Sequence, residues 1–133
     1  MDNLPITTKK HNLKSGNSLE IWPAKWEDAL NLMQVVSKEI STLDLVKGTV
    51  EGLSLQMISS KPLMSALWPC MGLCVYKSTE KISEQTFTSM EGRKDFIEIV
   101  KEVLVFNITP FSENVALLCE AMFKKDLAIL STK

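Results

Sequence analysis

A chain of 133 residues, 45% hydrophobic and 23% charged, with a formal net charge of -1, has the size and make-up of one globular domain. At that length roughly two-thirds of the unfolded surface can be buried, so a core forms without help from a disulfide or a metal. The balanced charge sets the chain apart from dedicated nucleic-acid binders, which carry an excess of Lys and Arg. The hydrophobic content excludes wholesale disorder.

The N-terminal stretch opens with hairpin character. Ile6-Thr7-Thr8-Lys9-Lys10-His11-Asn12-Leu13 is β-branched and polar, Ser15-Gly16-Asn17 offers a turn, and Leu19 and Ile21 share one face before Pro23 ends the strand. A lone hairpin is marginal in water, so this one must pack on something. From Ala24 the period changes. Trp26, Ala29, Leu30, Met33, Val36 and Ile40 fall at helical spacing, with Glu27, Asp28, Asn31, Gln34 and Lys38 opposite. Asp44 to Ser60 reads as a second, weaker helix, interrupted by Gly48 and Gly52.

Ser60-Lys61-Pro62 is a helix start, and Leu63, Ala66, Leu67, Cys70, Met71 and Cys74 then make an apolar face in which Pro69 should produce a kink. Residues 62–76 carry no charge, but a membrane span needs about 20 residues and this stretch has 15. It reads as a core helix. Lys77 to Lys81 reads as a polar loop and Ser83 to Met90 as a short helix. A long helix begins near Gly92, with Phe96, Ile99, Val100, Val103 and Leu104 on one side and its end at Asn107. Thr109-Pro110 restarts the chain into a last helix striped by Val115, Leu118, Cys119 and Met122. The expected fold is therefore α+β, mainly α. It is a single domain over residues 1–133, with a β-hairpin at about 6–23 and five to six helices over about 24–130.

Groups that do chemistry are sparse. His11, the only histidine, sits in a polar strand beside Lys9 and Lys10, where a solvated imidazole is expected rather than a catalytic one. Cys70, Cys74, Cys119 and His11 lack the paired spacing of structural zinc sites, and all three thiols lie in apolar stretches. Glu98 and Glu102, interleaved with Lys94, Asp95 and Lys101, read as a solvated helix face. No glycine-rich loop follows a strand to cradle a phosphate. Neither an enzyme, a metal nor a cofactor is expected. The odd cysteine count and the polar residues 1–14, free of any signal-peptide-like run, point to a cytoplasm. Seven methionines are unusual: surfaces that accept varied apolar partners over-use this flexible side chain, but Met33, Met57, Met64, Met71 and Met122 fall on the same stripes as Leu and Val and read for the most part as core filling.

Several local motifs together resemble the tail assembly chaperones of long-tailed phages and prophages. They are Leu13-Lys14-Ser15-Gly16, Leu19-Glu20-Ile21, Leu67-Trp68-Pro69-Cys70-Met71, Val75-Tyr76, Lys81-Ile82, Phe87, Arg93-Lys94-Asp95-Phe96, Glu98-Ile99 and Phe106-Asn107-Ile108-Thr109-Pro110-Phe111. The likeness spans about residues 10–112. Phe96 stands where the pattern has a tyrosine, and Ser112 where it has a second aromatic. The resemblance implies a non-enzymatic protein of the bacterial host cytoplasm that coats the tape measure protein, helps recruit tail tube subunits, and is missing from the finished virion. Many such proteins are also made in a longer form by ribosomal frameshifting near the end of the reading frame, and Phe123-Lys124-Lys125 is a stretch that a slippery A/U-rich heptamer can encode. Self-association is compatible with this role, and binding to nucleic acid or membrane is not expected. The partner site expected from the sequence is a groove beside the Leu63–Cys74 helix, edged by Met64, Trp68 and Met71, that takes a helix by its apolar stripe. A structural subunit of the virion, such as a baseplate or tail-terminator part, is the alternative.

Overall fold

The computed structural model describes residues 8–42, 50–72 and 74–123. The elements run β1 (Lys9–Asn12), β2 (Ser18–Ile21), α1 (Trp26–Ser41), α2 (Val50–Ser59), α3 (Lys61–Gly72), β3 (Val75–Lys77), β4 (Glu80–Lys81), a 3-10 helix (Glu84–Phe87), α4 (Met90–Ile108) and α5 (Glu113–Met122). The α+β, mainly α class expected from the sequence is what the chain adopts. Ile6 and Thr7 of the expected hairpin, the segment 43–49 with Gly48, and the stretch from Lys124 to 130 lie outside the described residues.

The first hairpin turns where Gly16 takes φ +97°, with its N–H donating to the Leu13 carbonyl at 2.9 Å. A residue with a Cβ is strained there. The polar loop expected over Lys77 to Lys81 is instead a second hairpin. Ser78 and Thr79 both take positive φ, 48° and 74°, as the two central residues of a primed turn must. Without Gly or Asn at those positions, the local signal for that turn was missing. Antiparallel pairing gives a four-stranded sheet in the order β1-β2-β3-β4.

Register makes the sheet two-faced. Lys10, Glu20, Tyr76 and Lys81 fall in one cross-strand row on the outer face. On the inner face Leu19, Ile21 and Val75 are fully buried, with β2 against α4 and β3 against α3. The helical core adds Leu32, Val36, Met57, Leu63, Leu67, Val103 and Leu104. Helix α1 lies on α3, α4 on α5, and α2 touches α3 and α5. Pro69 is accommodated inside α3, which runs on to Gly72. In α1 the buried stripe is Ala29, Leu32 and Val36. Trp26, expected on that stripe, is instead 66% exposed.

Two hydroxyl caps set the start and end of the α4 region. Ser89 accepts from Gly92 N–H and Ser112 from Val115 N–H, satisfying first-turn donors. Arg93 Nε donates to the Phe87 carbonyl at 2.9 Å, clamping the 3-10 helix onto the first turn of α4. That clamp leaves no room at Gly92, where an added Cβ would stand 1.9 Å from the Thr86 carbonyl oxygen. Gly92→Ala should therefore cost about 2–3 kcal/mol in urea unfolding. Gly72→Ala, whose Cβ would meet nothing nearer than 3.7 Å, should change stability by less than about 1 kcal/mol. Equal losses in the two variants would contradict the packing described.

Candidate functional site

Two arrangements bring chemistry-bearing side chains together: a charged seam under the first hairpin and an aromatic groove at the start of α1. The seam lies where Asp95, Glu98 and Glu102, spaced three and four residues apart, share one face of α4. Asp95 and Glu102 are only 3% and 5% exposed, so the solvated face expected from the sequence is in fact covered. Strand β1 covers it. Its inward Lys9 pairs with Glu102 and Lys77 of β3 pairs with Asp95, supplying the counter-charges that two buried carboxylates require.

Lys9 Nζ lies 2.7 Å from Glu102 Oε1 and Lys101 Nζ 3.0 Å from Glu102 Oε2. The Lys9 contact is poorly aligned for a hydrogen bond, so it counts as an ion pair. His11 Nε2 is 2.6 Å from Glu98 Oε2, and its Nδ1 is 3.8 Å from Glu102 Oε1. Lys14 N–H donates to Glu98 at 3.1 Å and the Ser15 hydroxyl to Asp95 at 3.1 Å. Lys77 Nζ, from β3, reaches Asp95 at 2.9 Å. The histidine expected to be solvated is thus part of a structural network.

The groove has two walls. One is Pro23, Ala24, Trp26 and Ala29, from the β2–α1 connection and the first turn of α1. The other is Phe106, Asn107, Pro110 and Phe111, from the end of α4 and the turn into α5. Together they line an open cleft of about 690 Å³. The rings of Trp26 and Phe111 stand 5.4 Å apart, tilted by 40°. Asn107 ties the walls, accepting from Ala24 N–H at 3.4 Å while its own amide donates to the Val103 carbonyl at 2.9 Å. Both prolines lack a donor. The lining therefore presents ring faces and hydrocarbon, with its one polar side chain engaged at both ends.

The groove expected from the sequence is not assembled as described. Met71 is fully buried in the core at 0% exposure, because it sits on the same helix face as Leu63, Leu67 and Cys70. Met64 and Trp68 remain half-buried at the edge of α3. The helical period places Trp26 on the buried stripe of α1, whose first buried residue is in fact Ala29, and so hides the aromatic groove. Its neighbours Trp22-Pro23 and Pro110-Phe111 were the available signal: proline beside an aromatic at both chain breaks.

The thiols are not poised for chemistry. Burial, with Asp28 and Cys74 adding, pushes Cys70 up to about 12. Burial pushes Cys119 up to about 12. Burial likewise raises Cys74, which is only partly covered. Among the described residues no three His, Cys, Asp or Glu side chains are grouped to hold a metal, and no helix is long and apolar enough to cross a membrane. No protein-family model matches the chain, and no curated protein or solved structure matches it.

Two measurements check this description. A thiol reagent at pH 8 should label Cys74 first and leave Cys70 and Cys119 unmodified until denaturant is added; fast native labelling of all three would contradict the burial. Burial raises the pKa of Glu102, but Lys9 and Lys101 lower it by more, leaving it below the ordinary carboxylate value. A folded-state pKa below the unfolded one, about 4.3, adds stability that is present above that pH and lost as pH falls through the folded value. Between pH 7 and pH 3 the Tm of the wild type should fall more steeply than that of Glu102→Gln. Parallel curves would contradict a paired Glu102.

Proposed function

We propose that this domain binds other polypeptides, taking an apolar segment into the Trp26–Phe111 groove, and that it acts as a tail assembly chaperone of a long-tailed phage or prophage. One observation carries the binding reading: an indole left 66% exposed at the mouth of a cleft whose walls offer almost only apolar surface. Large aromatic side chains anchor protein interfaces because they bury much area at little entropic cost. A cleft of this size suits one or two side chains of a partner helix or extended segment.

The chaperone reading adds the resemblance in the sequence. A tape measure protein is a long helix whose apolar stripes are exposed until the tail tube closes around it. A small domain that covers such a stripe, and then yields it to tube subunits in the host cytoplasm, suits a groove with no polar anchor. In this reading no covalent step occurs. The free cysteines are buried or protonated and the single imidazole is engaged with carboxylates, which supports a non-enzymatic role.

Co-expression with a phage tape measure protein tests the proposal. The Trp26→Ala, Phe111→Ala double variant should lose at least tenfold in affinity, about 1.4 kcal/mol, while Met64→Ala stays within twofold. Equal capture by wild type and by a folded double variant would sink the groove. Mass spectrometry of purified particles checks the role: a chaperone is missing from them, whereas a fixed copy number would make the chain a virion subunit.

A further inference from the structure

The anchor that the groove's side chains lack lies in its backbone. Helix α4 ends at the groove, and a helix leaves the carbonyls of its last turn without intrahelical partners. The Phe106 carbonyl would accept from the residue four positions on, but that residue is Pro110, which has no N–H. The Asn107 carbonyl would accept from Phe111. That N–H and the one of Ser112 both go to the Ile108 carbonyl instead, at 2.9 Å each. Thr109 directs both its N–H and its hydroxyl to Val105. Among the described residues the Phe106 and Asn107 carbonyls therefore receive no donor, and both residues line the cleft.

Three further features give this end of the groove a negative sign. The last turn of α4 carries no basic residue, so the negative end of its dipole is unanswered. Glu27 and Glu113 lie in the first turns of α1 and α5, one and two positions from Trp26 and Phe111. Both are exposed, and among the described residues neither is in an ion pair. Lys25, the basic neighbour of Trp26, lies with Asp28 near the Cys74 thiol, where the two oppose each other. The third feature is the indole itself, whose π face is negative and attracts cations.

We propose that the groove selects a polypeptide segment that carries an arginine among apolar residues. Its guanidinium stacks on the Trp26 indole and donates to the Phe106 and Asn107 carbonyls. This rests on the reading of the groove as a polypeptide-binding site and names the side chain recognised there. A wholly apolar segment would cover the rings but strip both carbonyls of water and leave them unpaired. A carboxylate would meet the negative end of α4 and two acids. A guanidinium is planar, so it lies flat on a ring while its edge donors reach two acceptors; the compact, strongly hydrated ammonium of lysine ranks second.

Two end-capped peptides added to the intact chain test the proposal: Leu-Ala-Arg-Ala-Leu and Leu-Ala-Met-Ala-Leu, with binding read from the NMR shift of the Trp26 indole N–H. The arginine peptide should bind about fivefold more tightly than the methionine peptide, with a lysine version between them. Glu27→Gln, Glu113→Gln should lower that preference about twofold, as should about 0.5 M salt. Equal binding of the two peptides, or binding of neither, would overturn the proposal. So would a preference unchanged both in that variant and in high salt, which would place the arginine outside this negative end. The two readings fail separately. If the peptides bind alike but Trp26→Ala, Phe111→Ala still loses the tape measure protein, only the arginine preference falls. If arginine is preferred and that double variant captures the tape measure protein normally, the arginine site stands and the tape measure reading falls.

Discussion

Burying two carboxylates of α4 under a β-hairpin is the constraint on which the rest of this structure depends. Asp95 and Glu102 are nearly closed to water, and an unpaired charge in such a place costs several kcal/mol. Lys9, Lys77 and Lys101 answer them, with His11 on Glu98 between. Because side chains alternate along a strand, a slip of one residue in β1 would turn Lys9 and His11 outward and bring Lys10 and Asn12 in. Lys9 would then leave Glu102 and His11 would leave Glu98, while Asp95 keeps Lys77 of β3. The seam therefore sets the register of β1, and β1 in turn fixes how β2 leaves the sheet towards α1.

The inner face of the sheet consequently has two halves. Its central strands bring Leu19, Ile21 and Val75 to the helical core, where burial supplies most of the stabilisation. Its edge strand brings charge to charge. An edge strand presents unpaired backbone groups to solvent and invites pairing with other chains. Here β1 is four residues long with lysines at two of them, which blunts that tendency. Apolar association is left to the far end of α4.

At that end two chain breaks meet. Pro23 stops β2, and Pro110 sits in the turn where the Ile108 carbonyl receives the N–H groups of Phe111 and Ser112. Lys25 gives α1 no side-chain cap. The aromatic residues beside these breaks precede the buried stripes of their helices, so the core does not absorb them. Trp26 and Phe111 face each other instead of packing inward. The methionines on the apolar stripes are core, as their spacing implies: Met57 and Met71 are fully buried and Met122 nearly so, filling gaps between helices as a flexible side chain can. The adaptable apolar surface is aromatic rather than sulfur-bearing.

The sequence by itself determined what depends on neighbours a few residues apart. The 3.6-residue period marked α1, α3, α4 and α5, and Gly16 marked the first hairpin turn. The uncharged stretch from Pro62 declared a core helix. The second hairpin was not legible, because Ser78 and Thr79 adopt positive φ only where pairing with β2 holds them. Only the tertiary structure decided that Glu102 is buried, that His11 is paired and that Trp26 lines a groove. The reason is physical: local spacing says which residues share a face, but whether that face meets water, hydrocarbon or an opposite charge is fixed by a partner element up to 87 positions away, as in the His11–Glu98 contact.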